Sequence, residues 1–220
     1  MTRIYDGARN PRTGERLFSG WERGSESLGG RGGGWQAYFV GQPEPARADF
    51  WRSWVFGDAQ WDPRTFDFDK DVAAADAKVG FIDATNPDLS AFQAQKGKLV
   101  MYHGWADPVV PPEDGIQYYE SVARKMGSEQ NIISFFRLFM VPGMGHCGGG
   151  PGPNTFDVLG ALDKWVADGV APEKIIASHA TNGTVDRTRP LCPYPLEAHW
   201  KGTGSTDKAE NFDCALPSAR

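Results

Sequence analysis

The chain has 220 residues, 40% of them hydrophobic and 12% aromatic, so it is long and apolar enough to bury a core. Its formal net charge is -5, and 23 basic residues are scattered among 28 acidic ones, which excludes a basic face for nucleic acid or an anionic membrane. No run approaches the roughly 18 apolar residues of a membrane span, and the opening residues (MTRIYDG) do not look like a signal peptide. We therefore expect no nucleic-acid partner, no membrane partner and no export signal in this chain.

The first part of the chain has little regular periodicity. Residues 1–45 are rich in Gly, Pro and Arg, which predicts loop. Residues 50–68 are dense in aromatic side chains, and Trp54 follows Phe50 and Trp51 by about one helical turn, which predicts a short helix. Residues 69–77 (DKDVAAADA) are also predicted to be helical.

Beyond Pro87 the pattern changes to alternating strands and helices. Continuous apolar runs predict strands that are covered on both faces. The helix near the end is predicted to be capped by Asn154 or Thr155 and to end at Gly169. This order of elements predicts a parallel α/β sheet, followed by a Pro-rich tail with little regular structure. The predicted elements are strands 98–104 and 132–141, helices near 89–92, at 114–126 and at 158–166, and a short strand at 174–177.

Two polar motifs follow the two apolar strands, at residues 103–112 (HGWADPVVPP) and 142–149 (PGMGHCGG). Open α/β sheets place their sites at the carboxyl ends of strands, and α/β-hydrolases carry the catalytic acid and then the histidine in this order. Asp107 and His146 fit that order. The carboxylate would fix the imidazole tautomer while the imidazole exchanges a proton with the nucleophile and the leaving group. We predict that the two side chains lie within hydrogen-bonding distance.

Each motif also has a plainer interpretation. Asp107 could be a turn residue before a proline and His146 an ordinary loop histidine, but their joint position after successive strands favours catalysis. His103, at a strand end, is interpreted as a packing or hydrogen-bonding residue. His179 and His199 lack such a context and are interpreted as structural. No metal site is predicted, since no His or Cys pair has the short spacing usual for zinc.

A serine nucleophile is not evident. The chain contains no G-x-S-x-G motif between a strand and a helix. Ser27 lies in the nearest pattern, but no apolar strand precedes it and glycines follow where helix formers are needed. Cys147 beside His146 is another candidate nucleophile, but neighbouring side chains in sequence rarely face each other productively, and a disulfide partner is the better account of this cysteine.

The three cysteines suggest an oxidising compartment. Cys192 and Cys214 flank a loop of about 20 residues, and a disulfide there would stabilise the chain by about 3 kcal/mol. Two free buried thiols remain the alternative. Cys147 then needs a partner outside this chain.

Four segments together resemble the bacterial tannase and feruloyl esterase family, which includes mono(2-hydroxyethyl) terephthalate hydrolases. They are residues 4–14 (IYDGARNPRTG), 103–107 (HGWAD), 143–147 (GMGHC) and 189–195 (RPLCPYP). The resemblance implies that Asp107 is the triad acid, His146 the base, and Cys192–Cys214 a disulfide. It also implies that Cys147 pairs with a cysteine immediately before the nucleophilic serine. That serine, the oxyanion donors and the family's calcium loop would lie upstream, so no cofactor is expected in this chain and the missing N-terminal half is its expected partner.

The resemblance further implies a fold class: α/β, the C-terminal part of an α/β-hydrolase sheet with part of a lid domain. Residues 1–33 would be a Gly/Pro-rich connecting segment, 34–86 a partial aromatic-rich lid, and 87–220 the C-terminal hydrolase half. In the lid, Trp35 would stack on the aromatic ring of the substrate. Arg47, Phe50 and Trp54 are further substrate-binding candidates.

The implied function is hydrolysis of aromatic (phenolic) acid esters, such as feruloyl, galloyl or terephthalate monoesters, by a Ser-His-Asp mechanism whose serine is missing here. This chain alone is therefore expected to be inactive. The alternatives are a non-catalytic remnant or interaction module, and another α/β-hydrolase esterase of the dienelactone-hydrolase type. The His146-Cys147 pair argues against the last of these. The disulfides imply a periplasmic or extracellular parent protein.

Overall fold

The computed structural model describes residues 2–26, 34–39, 43–45 and 47–218. Ser27 and most of the glycine cluster that follows it lie outside the described residues. No helix in the described ranges combines the length and apolarity needed to cross a membrane. The α-helices are α1 (Thr2–Asp6), α2 (Gly34–Tyr38), α3 (Ala48–Phe50), α4 (Lys70–Val79), α5 (Ser90–Ala94), α6 (Pro112–Lys125), α7 (Glu129–Ile132) and α8 (Val158–Asp168). A π-helix (Trp51–Phe56) continues α3, and short 3-10 helices are Pro63–Thr65, Gly80–Ile82 and Ala209–Asn211.

Six strands form three two-stranded sheets in the described chain. Strands β1 (Leu99–Gly104) and β2 (Phe136–Val141) pair in parallel, with α6 on the connection between them. The other pairs are antiparallel: β3 (Ile175–Thr181) with β4 (Thr184–Leu191), and β5 (Glu197–Trp200) with β6 (Phe212–Ala215). The predicted parallel strand–helix–strand unit is therefore present, but the strand predicted at 174–177 belongs to a separate antiparallel hairpin.

Strand β2 is covered on both faces, as its apolar run predicts. Phe136 and Leu138 belong to one buried cluster, with Tyr119 of α6, and Phe139 and Val141 belong to a second. All four β2 side chains are fully buried, and burying each contributes on the order of 1.5–3 kcal/mol. The alternation of the two clusters along the strand follows from its two-residue period.

Several predicted boundaries were wrong. Strand β2 begins at Phe136 rather than at residue 132, because Ser128 caps the short helix α7 by accepting a hydrogen bond from the Asn131 backbone N–H. Helix α8 is capped by Asp157, whose carboxylate accepts from the Gly160 N–H at 2.8 Å, not by Asn154 or Thr155. The segment 1–45, predicted as loop, contains α1, α2 and a strand-like bridge between Arg9 and Arg16.

The C-terminal tail is more ordered than predicted. Asn182 and Gly183, both with positive φ, form a two-residue turn between β3 and β4. Such a turn matches the twist of a hairpin, and Asn-Gly is its strongest sequence signal. The Cys192–Cys214 disulfide is confirmed, with a Cα–Cα separation of 5.6 Å. It joins the end of β4 to β6, so the covalent bond ties two hairpins together.

Candidate active site

The site lies where β1 and β2 end side by side. Gly104 and Val141, the last residues of the two strands, are register partners. Trp105 donates its backbone N–H to Val141 O at 3.0 Å, and Ala106 donates to Met144 O at 3.0 Å. The loops after the two strands are therefore joined by backbone hydrogen bonds.

Glycine at position 104 permits this close approach. A Cβ added there would lie 2.3 Å from Met144 O, far inside contact distance. The loop after β2 folds back in the same way, since a Cβ at Gly152 would lie 1.9 Å from Pro142 O. Cys147, immediately after His146, is exposed and adopts a left-handed conformation with φ 59°. These contacts fix where the loop presents His146.

Asp107 and His146 meet at this edge. His146 Nδ1 lies 2.8 Å from Asp107 Oδ2. Asp107 is 2% exposed, whereas the His146 side chain is 47% exposed. Because an ionised carboxylate only accepts hydrogen bonds, Nδ1 carries the proton in neutral His146 and Nε2 is left free to accept one. A solvent-facing imidazole backed by a buried acid is the arrangement that general-base catalysis requires.

Asp107 is ionised despite its burial. Its Oδ1 atom accepts from the Val109 and Val110 backbone N–H groups at 2.7 and 3.0 Å. Burial alone would raise the pKa of Asp107, but hydrogen bonds from two imidazoles and two backbone N–H groups outweigh it and lower the pKa to about 2. The second imidazole is that of His103, whose Nε2 atom lies 3.2 Å from Oδ2. Its hydrogen bond to the acid itself was not predicted, although His103 stands only four residues before Asp107.

The other sequence-predicted residues lie apart from this pair. A small cleft of about 160 Å³ opens at His146, and none of its described lining residues is one of the four proposed substrate-binding residues. Trp35 is buried and donates its indole N–H to Ser25 Oγ at 3.0 Å. Phe50 stacks on Trp54, which is 55% exposed, and Arg47 is exposed in a left-handed conformation. The cleft is lined by Tyr102, His103, Gly104, Asp107, Val110, Met144, His146 and Cys147.

The remaining polar candidates fall elsewhere. His179 Nδ1 pairs with Asp186 Oδ1 at 2.6 Å on the β3–β4 hairpin, and His199 lies on β5. Cys147 is the free thiol among three cysteines that all lie in the described ranges. Within those ranges, no three His, Cys, Asp or Glu side chains are grouped so that they could hold a metal ion.

The similar solved structures have a fold of the α/β-hydrolase type, and the parallel strands β1 and β2, followed by the loops of Asp107 and His146, fit that fold. A model of the family described as "Tannase and feruloyl esterase" matches residues 1–215. The chain belongs to this family.

Three similar proteins illustrate the relationship. An uncharacterized esterase from Xanthomonas campestris pv. campestris is 40% identical over 97% of this chain and 45% of its own length. A mono(2-hydroxyethyl) terephthalate hydrolase from Piscinibacter sakaiensis is 42% identical over 69% of this chain and 26% of its own length. The crystal structure of feruloyl esterase B from Aspergillus oryzae aligns with a TM-score of 0.86 and 30% identity, covering 96% of this chain and 44% of that one. The chain thus spans less than half the length of each.

Proposed function

We propose that this chain is the acid- and histidine-bearing part of a carboxylic ester hydrolase that acts on esters of aromatic, phenolic acids, such as feruloyl, galloyl or terephthalate monoesters. The observation that carries the proposal is the 2.8 Å contact between buried, ionised Asp107 and exposed His146. Family membership supports the reaction class, since the similar proteins bear the names of esterases.

In the proposed mechanism, His146 Nε2 takes the proton of a serine hydroxyl as the serine oxygen attacks the ester carbonyl. The imidazolium returns that proton to the alcohol as the acyl–oxygen bond breaks. A water molecule then attacks the acyl-serine by the same route and releases the acid and the serine. Asp107 holds Nδ1–H throughout, which keeps Nε2 directed away from the acid and stabilises the imidazolium.

The serine is proposed to come from an N-terminal half outside this chain, within a Gly-Cys-Ser-x-Gly segment whose cysteine pairs with Cys147. The small cleft supports this, because 160 Å³ is well below the roughly 300–1,000 Å³ of pockets that bury a small ligand. The exposed thiol of Cys147 beside the base supports the pairing. The family's calcium loop and oxyanion donors are assigned to the same half.

Residues 34–86 are proposed to form part of the lid that grips the aromatic acid, between a connecting segment (1–33) and the hydrolase half (87–220). The exposed Trp54 and its stacking partner Phe50 offer aromatic surface for this role, and Arg47 is open to solvent. Trp35 would have to leave its buried position beside Tyr5 to stack on substrate. The disulfide supports a periplasmic or extracellular location, where such bonds persist.

Complementation tests the proposed function. The isolated chain should hydrolyse methyl ferulate, methyl gallate and mono(2-hydroxyethyl) terephthalate no faster than buffer, because the acid–base pair has no nucleophile to activate. Adding an N-terminal half that carries Gly-Cys-Ser-x-Gly should restore turnover. In the restored enzyme, His146→Ala should lower kcat by several orders of magnitude, and the matched control His179→Ala should not. No turnover after complementation with a folded half would contradict the proposal and favour a non-catalytic module.

A further inference from the structure

Two imidazoles share one oxygen of the catalytic acid. His103 Nε2 lies 3.2 Å from Asp107 Oδ2, the atom that also accepts from His146 Nδ1. His103 Nε2 lies equally close to the Val110 carbonyl oxygen. Since both neighbours of this nitrogen are acceptors, Nε2 of His103 carries a proton and donates it.

Asp107 accepts four hydrogen bonds, which use all the acceptor positions of its carboxylate. An ionised carboxylate offers about four lone-pair directions, two on each oxygen. On Asp107, Oδ1 accepts two backbone N–H groups and Oδ2 accepts the two imidazoles. Protonation of Asp107 must therefore displace a donor, and rotation of its carboxylate must break bonds on both oxygens.

His103 is itself held from several sides. Its side chain is 16% exposed, and its Nδ1 atom faces the first turn of α6, where a Cβ on Gly115 would lie only 3.2 Å away. Asp114, in the same turn, also interacts electrostatically with His103, and its own charged neighbours are Glu113 and Arg16. On the cleft side, the titratable residues that line the wall with His103 and Asp107 are Tyr102, His146 and Cys147.

We propose that His103 is a positioning residue of the acid: its Nε2–H occupies one lone pair of Asp107 Oδ2 and directs the other at His146. The inference rests on the proposed function and deepens it. Without His103, one Oδ2 position opens to a proton or to water, and His146 is the one remaining donor to that oxygen among the described residues. The acid then becomes easier to protonate, and it specifies the His146 tautomer less strictly.

Carbon-13 NMR of the isolated chain tests this without any need for turnover. In the wild-type chain, the Asp107 carboxyl carbon should show no titration step between pH 7 and about pH 3. In His103→Leu the midpoint of the step should rise by about one to two pH units, which moves it to the edge of that window or inside it, because one charge-assisted hydrogen bond is lost. His103→Gln, which keeps an N–H donor, should restore much of the wild-type behaviour. Nitrogen-15 shifts of neutral His146 should show Nδ1–H in the wild type and a tautomer mixture in His103→Leu.

Two further variants keep the test decisive. Gly115→Ala displaces the His103 ring rather than removing it, and should move the Asp107 step in the same direction by less. His179→Leu, which removes an imidazole paired with another aspartate, should change neither signal. An unmoved Asp107 step in folded His103→Leu, or in Gly115→Ala if the former does not fold, would overturn the proposal. Failure of complementation would leave these signals unaffected, so the two proposals fail separately.

Discussion

At the scale of single residues, the buried carboxylate of Asp107 couples the site to the stability of the fold. The pKa of Asp107 is about 2 in the folded chain, below its ordinary value of 3.8. A lowered folded-state pKa means that the ionised group stabilises the fold above pH 4, and that this contribution is lost as the pH falls toward 2. The difference corresponds to about 2 kcal/mol.

This linkage predicts a flatter pH profile for Asp107→Asn. The variant should be less stable at neutral pH, because its amide group meets the imidazole N–H donors. Between pH 6 and pH 3, however, the wild type should lose about 1 kcal/mol more of its free energy of unfolding than the variant does, because about half of the linkage is lost by pH 3 and the rest at lower pH. Urea unfolding at a series of pH values measures this. Asp163→Asn, on the exposed side of α8, is the control and should follow the wild type. Parallel curves for wild type and Asp107→Asn would contradict the assignment.

At the scale of elements, the sequence predicted strands and helices correctly where the apolar residues followed a clear periodic pattern. The run in 136–141 predicted a buried strand correctly, because its side chains alternate between two cores. The same prediction for 98–104 was wrong, since β1 is only partly buried and its Tyr102 is 37% exposed. Gly127 and Gly169 marked the ends of helices because both adopt a positive φ, which glycine does at low cost. Antiparallel β4 was missed because its charged residues and Pro190 look like a loop, although the Asn182-Gly183 turn before it carried the signal.

One contact of the candidate site was predictable from the sequence and another was not. The order of Asp107 and His146 after successive strands predicted their meeting, because parallel strands end at one edge. The bond between His103 and Asp107 depends on how tightly the loop turns within four residues, which no periodic pattern encodes. Only the path of the backbone determines it.

Helix α8 provides a prediction at this scale. Asp157→Ala should lower the free energy of unfolding by about 1 kcal/mol, because its carboxylate accepts the Gly160 N–H that the first turn leaves unpaired. Thr155→Ala removes a side chain that the sequence also offered as a cap, and it should have little effect. Thermal or urea unfolding of the two variants gives the comparison. Equal losses would show that the cap does not lie at Asp157.

At the scale of the whole molecule, the surface of α8 remains partly apolar. Leu159 is 75% exposed and Val166 is 64% exposed, and the two lie two turns apart on one face. Trp165 on the same helix is buried, so the described chain covers one side of α8 and leaves Leu159 and Val166 exposed. Exposed apolar side chains on one helix face promote association.

We therefore expect the isolated chain to self-associate through this face. Val166→Lys should shift sedimentation profiles toward the monomer at high concentration, with an unchanged circular dichroism spectrum. Ala167→Lys adds the same charge next to it without removing an apolar side chain, and should change association less. If both substitutions reduced self-association equally, the cause would be the added charge and not the loss of an apolar side chain.

The backbone contact of Gly104 with Met144 O also has a consequence for mutational tolerance. Because a single added methyl group at position 104 would collide with backbone, no change of neighbouring side chain can compensate for it. Gly152 is restricted for the same reason, through Pro142 O. A saturation library should therefore recover only glycine at these two positions while accepting many residues at exposed Leu159. Because these contacts are between backbone atoms, substitutions of the surrounding side chains should leave the distance between Asp107 and His146 unchanged.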